Sequence, residues 1–356
     1  MRRLLFLLIT TLIVSVNSSA QDVKNIIFLI GDGMGLSATS MMQIENNYEP
    51  TIFDLADNVV LTKTYSTNNR VTDSAAAGTA LACGEKTDNT VLGLAPDGRA
   101  LTSLTALASE HGKATGLIAT TYLQHATPAS FYAHVANRNE YLTITEQLTN
   151  SHIDVAIGGG MAFYREKYGS EECVEEALNE QGFTLLDNLE ELREQHGNKK
   201  IMALLSDYEV GANSGSYLAD ATREAIRLLT TLGNNNGFVL MVEGSLIDGM
   251  AHGNNAKDMQ IEMLGFMEAV EVAVAYAREH SDTLVVVTAD HETGGLTIVS
   301  GDANFRLSEQ GIEYCWSTGG HAGAMVPAYL YGTGAELING VMENSELGAK
   351  LKALIE

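Results

Sequence analysis

The chain has 356 residues, 45% of them hydrophobic and 19% charged, with 21 Lys and Arg against 45 Asp and Glu and a formal charge of −24. That length allows a large buried core, in one big α/β domain or two ordinary ones. Such acidity offers no generic electrostatic route onto nucleic acid or anionic lipid, and ordinary apolar content without low-complexity tracts excludes disorder.

Residues 1–20 read as a separate unit. Arg2 and Arg3 precede the apolar run Leu4 to Val16, and small residues close the segment at Ala20. This is the physical pattern of a secretory signal peptide, and the run is short for a membrane span, which needs about 20 apolar residues. The expected mature chain, residues 21–356, is a single periplasmic or secreted domain with no stable membrane span after processing. Cys83, Cys173 and Cys315 are too few and too scattered for disulfides to build the fold.

Asn25 to Ile30 is a continuous apolar run ended by Gly31-Asp32-Gly33, and similar runs recur at 114–121, 238–242, 283–288 and 326–330. Continuous rather than alternating runs predict strands buried on both faces. Helical patterns lie between them at Ser74–Cys83, Leu101–His111, Tyr217–Leu232 and Lys257–Glu279. In the last, Ile261, Leu264, Met267, Val270 and Val274 form the expected core stripe. The acidic stretch Glu171 to His196 reads as two amphipathic helices, a small inserted cap within about 160–215. The expected fold is α/β, with a large, mostly parallel central sheet sandwiched by helices.

Four of the runs end at or shortly before residue types that bind metal: Asp32, then His125 and Thr127, then Glu243, then Asp290 and His291. Ligands bind at the carboxyl ends of such strands, and carboxylates that converge there repel unless cations sit between them. Asp248 and His252 are four apart, so a helical turn puts both on one face, a donor pair suited to zinc. His321 follows two glycines and has little apolar cover. Ser74 stands where a helix of small residues begins. That position suits an N-cap, and it equally suits a nucleophile, because unpaired N–H groups and the helix dipole favour an alkoxide and an incoming phosphate.

Five segments, V-T-D-S-A-A-A-G-T at 71–79, Q-H-A-T-P-A-S-F-Y-A-H-V-A-N-R at 124–138, V-E-G-S-L-I-D-G-M-A-H-G-N-N at 242–255, T-A-D-H-E-T-G-G at 288–295 and S-T-G-G-H at 317–321, together resemble the motifs of the bacterial alkaline phosphatase family, in that family's order. The resemblance implies a metal-dependent phosphate monoester hydrolase that works through a phosphoserine on Ser74 and releases inorganic phosphate. It implies one zinc held by Asp248, His252 and His321, and a second held by Asp32, Asp290 and His291 with Ser74 as its changing ligand. A third ion, magnesium, would be reached by Asp32 and completed by Thr127 and Glu243. Arg138 would grip two phosphate oxygens with help from Asp73, and the chain would pair as a homodimer. Two positions depart from the pattern. His125 stands where Asp is often found beside the third metal, and Gly249 follows Asp248 where Lys or an aromatic residue is often found. The rival readings are a related superfamily phosphodiesterase or sulfatase and a non-catalytic secreted metal-binding protein. Ser74 rather than Cys speaks against a sulfatase, and a charged clamp such as Arg138 favours monoesters.

Overall fold

Runs of Ile, Leu and Val buried on both sides need helices over both faces of their sheet, and the computed structural model, which describes residues 22–197, 199–210, 216–301 and 312–355, supplies them. The expected leader, residues 1–20, lies outside the described residues. Eight strands come first in the chain: β1 (Asn25–Gly31), β2 (Asn58–Lys63), β3 (Ala114–Tyr122), β4 (Val155–Gly159), β5 (Phe183–Leu186), β6 (Lys200–Leu204), β7 (Phe238–Gly244) and β8 (Thr283–Thr288). Six follow: β9 (Glu292–Thr293), β10 (Leu296–Ser300), β11 (Ile312–Trp316), β12 (His321–Ala322), β13 (Val326–Gly332) and β14 (Val341–Glu343).

Ten of these form one sheet in the order β14-β2-β13-β8-β1-β7-β3-β4-β6-β5. Its pairings are parallel except that β13 runs antiparallel to both β2 and β8. Side chains alternate between the faces of β1. Ile26, Phe28 and Ile30 pack with Leu81, Leu104 and Leu347 in one apolar layer, while Ile27 and Leu29 join Leu229, Phe266 and Val270 in the other. Each such fully buried side chain contributes about 1.5–3 kcal/mol of transfer free energy.

Three sequence expectations shift. The helix read from Leu101 begins at Leu104, because Ser103 accepts a hydrogen bond from the Ala106 N–H and so caps it. In the long helix Ala256–Glu279 the buried residues are Met259, Met263, Phe266, Ala269, Val270, Ala273, Val274 and Ala277. Ile261 and Leu264, placed in the stripe from spacing alone, are exposed. This helix carries apolar residues on more than one face, and the direction of the sheet chose between them. The acidic stretch does form the helices Glu171–Glu180 and Leu189–Glu194, but β5 lies between them and pairs in parallel with β6. It therefore extends the sheet edge instead of standing apart as a cap. All three cysteines are unbridged, and no helix among the described residues is long and apolar enough to cross a membrane.

Candidate active site

The four central strands β8, β1, β7 and β3 are parallel and in register, with Ile30 opposite both Glu243 and Thr288, and Ala119 opposite Glu243. Their carboxyl ends therefore coincide. Asp32 follows β1, Glu243 is the second-to-last residue of β7, Asp290 and His291 follow β8, and His125 and Thr127 follow β3. Gly33 makes the turn after β1 with φ +71°, a left-handed conformation suited to glycine. A Cβ there would come within 2.9 Å of Asp248 Oδ1 and Thr293 Oγ1, so the bare backbone is what admits those groups. The Gly33 N–H in turn donates to Asp290 Oδ1 at 3.1 Å.

Asp32, Glu243, Asp290 and His291 have no exposed surface. Their donor atoms gather in three groups, each within 4.8 Å: Asp248, His291 and His321; Asp32, Asp290 and His291; and Asp32, His125 and Glu243. Asp32 and His291 each belong to two groups, so the three form one continuous run. Thr127 Oγ1 lies 3.4 Å from Asp32 Oδ2, beside the third group. His252 Nε2 is 3.1 Å from Asp248 Oδ2, and its Nδ1 is 2.7 Å from the Gly319 carbonyl oxygen. The resemblance put His252 with Asp248 and His321. All three are adjacent, yet the compact triplet contains His291 in its place.

Burial, and then the facing charges of Asp290, Asp248 and Glu243, push the Asp32 carboxyl well above its usual value. Burial raises Glu243 to about 7. Burial also opposes ionisation of Asp248, but hydrogen bonds from His252 and Thr293 and the charge of His291 outweigh it and hold this carboxyl low. Its hydrogen bond to Asp248 raises His252 to about 9. Asp32 Oδ1, Glu243 Oε1, Asp290 Oδ2 and His125 Nδ1 are buried with no hydrogen-bond partner. Orphaned acceptors that repel one another across a shared centre fit divalent cations, which satisfy the lone pairs and cancel the repulsion.

Asp73 is the N-cap of the helix Ser74–Cys83, its Oδ1 accepting from the Ala76 N–H at 3.0 Å. Ser74 is thereby released from the capping role. It is the first helical residue, buried, with Oγ 3.3 Å from His291 Nε2. Asp73 Oδ2 meets Arg138 Nη1 at 3.2 Å and accepts from the Thr90 N–H, so one carboxylate caps the helix and aims the guanidinium. Arg138 Nη2 lies 3.1 Å from His125 Nε2. Burial and the Arg138 charge lower His125 to about 3, so its ring is neutral. A guanidinium only donates, and a neutral imidazole has one lone-pair nitrogen. His125 can accept from Arg138 or bind a cation, but one tautomer cannot do both.

Sequence reading missed Thr293 and Ser245. Thr293 Oγ1 donates to Asp248 Oδ1 at 2.5 Å and lies 3.2 Å from His291 Nδ1, and Ser245 Oγ donates to Glu243 Oε2 at 2.6 Å. Both stand two residues beyond a predicted site residue, Ser245 after Glu243 and Thr293 after His291. That spacing was the available signal.

The sequence model of the alkaline phosphatase family matches residues 23–311. This chain belongs to the alkaline phosphatase family. By class its members are phosphomonoesterases, and the chain is an enzyme of that class. Alkaline phosphatase 3 of Bacillus subtilis is 31% identical over 94% of this chain and 89% of its own length, and alkaline phosphatase 4 of the same organism is 33% identical over 80% of this chain but only 65% of its own. The solved alkaline phosphatase of the Antarctic bacterium TAB5 is 34% identical, with a TM-score of 0.86 over 94% of this chain and 98% of that one. Forms of the TAB5 enzyme with a histidine changed to aspartate or glutamate hold Mg in the site called M3.

Proposed function

We propose that the chain is a secreted or periplasmic, metal-dependent phosphate monoester hydrolase that acts through a phosphoserine on Ser74. The observation that carries this reading is the position of Ser74 Oγ, at a helix N-terminus beside the run of buried donors and flanked by the Asp73–Arg138 pair. Asp248, His252 and His321 would hold one zinc, and Asp32, Asp290 and His291 the second. Asp32, Thr127 and Glu243, with His125 alongside, would hold magnesium. Bound there, the ions supply the Lewis acidity that lowers the pKa of a hydroxyl and balances charge on the attacking and leaving oxygens. His125 brings nitrogen where a carboxylate would suit magnesium better, and it has a competing tie to Arg138. The Mg-holding TAB5 forms support the same view. Residues 1–20 would direct export, and the family resemblance supports a homodimer.

Ser74 Oγ attacks phosphorus in line and the ester oxygen leaves, giving phospho-Ser74. Water then cleaves that ester and inorganic phosphate departs. The planar fork of Arg138, held by Asp73, binds two nonbridging oxygens and neutralises charge throughout both displacements, while the open N–H groups of the helix add a fixed positive potential. A diester has only a single negative charge on its nonbridging oxygens and a second organic arm to accommodate. The expected result is a kcat/KM for p-nitrophenyl phosphate that exceeds that for bis(p-nitrophenyl) phosphate by roughly 10³-fold. Arg138→Ala should cost the monoester roughly 10²-fold and the diester less. A wild-type enzyme that prefers the diester would reject the proposal.

Gly249 is exposed on the helix Leu246–His252, and a Cβ added there meets nothing within 4 Å. Gly249→Lys therefore fits without strain and removes a helix-weakening glycine. It is expected to tighten inhibition by inorganic phosphate roughly fivefold, the equivalent of about 1 kcal/mol from one partly solvated charge. An unchanged inhibition constant would show that this position does not face the bound anion.

A further inference from the structure

Four aromatic side chains from separate parts of the chain meet beside Arg138. Tyr122 ends β3, Tyr141 starts the helix Tyr141–Thr149, Phe163 belongs to the helix Met161–Tyr168 and Tyr208 to the loop after β6. Ring centroids lie 5.6 Å apart for Tyr122 and Tyr141, 5.1 Å for Tyr122 and Phe163, 4.7 Å for Tyr141 and Phe163, and 5.6 Å for Phe163 and Tyr208. At its inner end the row touches the phosphate grip, for Tyr122 meets His125 edge-on at 5.4 Å and His125 contacts Arg138. The row is not core. Tyr122, Tyr141 and Phe163 are half-buried and Tyr208 is 57% exposed.

A row of aromatic rings open to water and continuous with a charged anchor is built to receive the organic part of a ligand. We infer that Tyr122, Tyr141, Phe163 and Tyr208 form a rest for the alcohol portion of the substrate and favour monoesters that carry a planar aromatic ring, aryl phosphates and nucleoside monophosphates, over aliphatic ones. This rests on the monoesterase reading proposed above. Stacking on the row acts on binding of the organic group and leaves the phosphate contacts to Arg138.

The test compares kcat/KM for adenosine 5′-monophosphate, p-nitrophenyl phosphate and glycerol 3-phosphate in the wild type, Tyr208→Ala and Phe163→Leu, with inhibition by inorganic phosphate measured alongside. Each substrate ratio is compared between variant and wild type, which cancels differences in leaving-group chemistry. The expected result is a fall of about two- to tenfold in both aromatic-to-aliphatic ratios, expressed in KM, with the phosphate inhibition constant held. Phe163→Leu keeps apolar bulk and removes only the ring, and Tyr208 is exposed enough that its truncation leaves folding intact. Unchanged ratios overturn the inference. So does a parallel weakening of all three substrates and of phosphate, which would mean that the rings merely support Arg138. A wild type that cleaves none of the three overturns the monoesterase reading and this inference with it.

Discussion

Ser74→Ala is expected to fold, to bind its metal ions and to lose monoester hydrolysis by roughly 10³-fold or more. The structure makes this substitution unusually clean. Ser74 is followed by Ala75, Ala76 and Ala77, so alanine suits the local helix, and the cap that would otherwise be lost belongs to Asp73. Ser74 Oγ makes one side-chain contact, to His291 Nε2, and its removal leaves no buried donor stranded against carbon. What would disappear is the proposed covalent step. The donors for cations and the Arg138 fork remain, so a small residual rate through direct attack by water is expected. Acid quenching of the wild type during turnover should find phosphate on the peptide that contains Ser74, and none in the variant. Activity within tenfold of wild type would place the nucleophile elsewhere.

Removal of the metal ions is expected to abolish hydrolysis and to lower Tm by on the order of 10 °C, since ions that bind only the folded state stabilise it by mass action. The apoprotein should also become pH-sensitive in a defined window. Glu243, raised to about 7, and Asp32, raised well above its ordinary value by burial, hold protons in the folded chain that the unfolded chain has already released, so their contribution to stability declines as pH rises through their folded values. His252, raised to about 9, contributes stability that is present below its unfolded value of 6.5 and is lost between 6.5 and 9. Below pH 6.5 the depressed histidines act in the opposite sense: His125, at about 3, and His152, at about 4, are neutral when folded and protonated when unfolded, so stability there rises with pH. The clear decline therefore lies between about pH 6.5 and 9, worth roughly 2–4 °C in Tm for a chain of this size. The metal-loaded protein should show no such slope, because coordination replaces those protons. Calorimetry with and without excess chelator across that range decides the matter, and an apoprotein as stable and as flat in pH as the loaded one would mean that the buried carboxylates are not cation ligands.

Much of the candidate site was visible before folding because its parts are local. Asp32, Glu243, Asp290 and His291 each sit at or just beyond the end of an apolar run, and Asp248 and His252 are one helical turn apart; both patterns follow from strand and helix geometry within about ten residues. The role of Ser74 was ambiguous for the same reason. Composition at a helix start cannot say whether Ser74 or Asp73 caps, because that depends on which side chain turns back to the Ala76 N–H. The stripe on the helix Ala256–Glu279 failed at Ile261 and Leu264 for a related cause: several apolar rows exist on that helix, and only the sheet beneath it selects one.

What the sequence by itself determined is the class of the fold and the kinds of donor it carries, since apolar periodicity dictates buried parallel strands and metal-binding residue types recur at their ends. What only the tertiary structure decided is which donors lie close enough together to hold a cation. The strand order β8-β1-β7-β3 sets Asp32 between Asp290 on one side and Glu243 on the other, and pairing of β12 with β9 swings His321 toward Asp248 and His291. Those neighbours lie up to 259 positions apart in the chain, from Asp32 to His291. Distances of that kind come from packing two apolar layers on one twisted sheet, and no spacing along the chain encodes them.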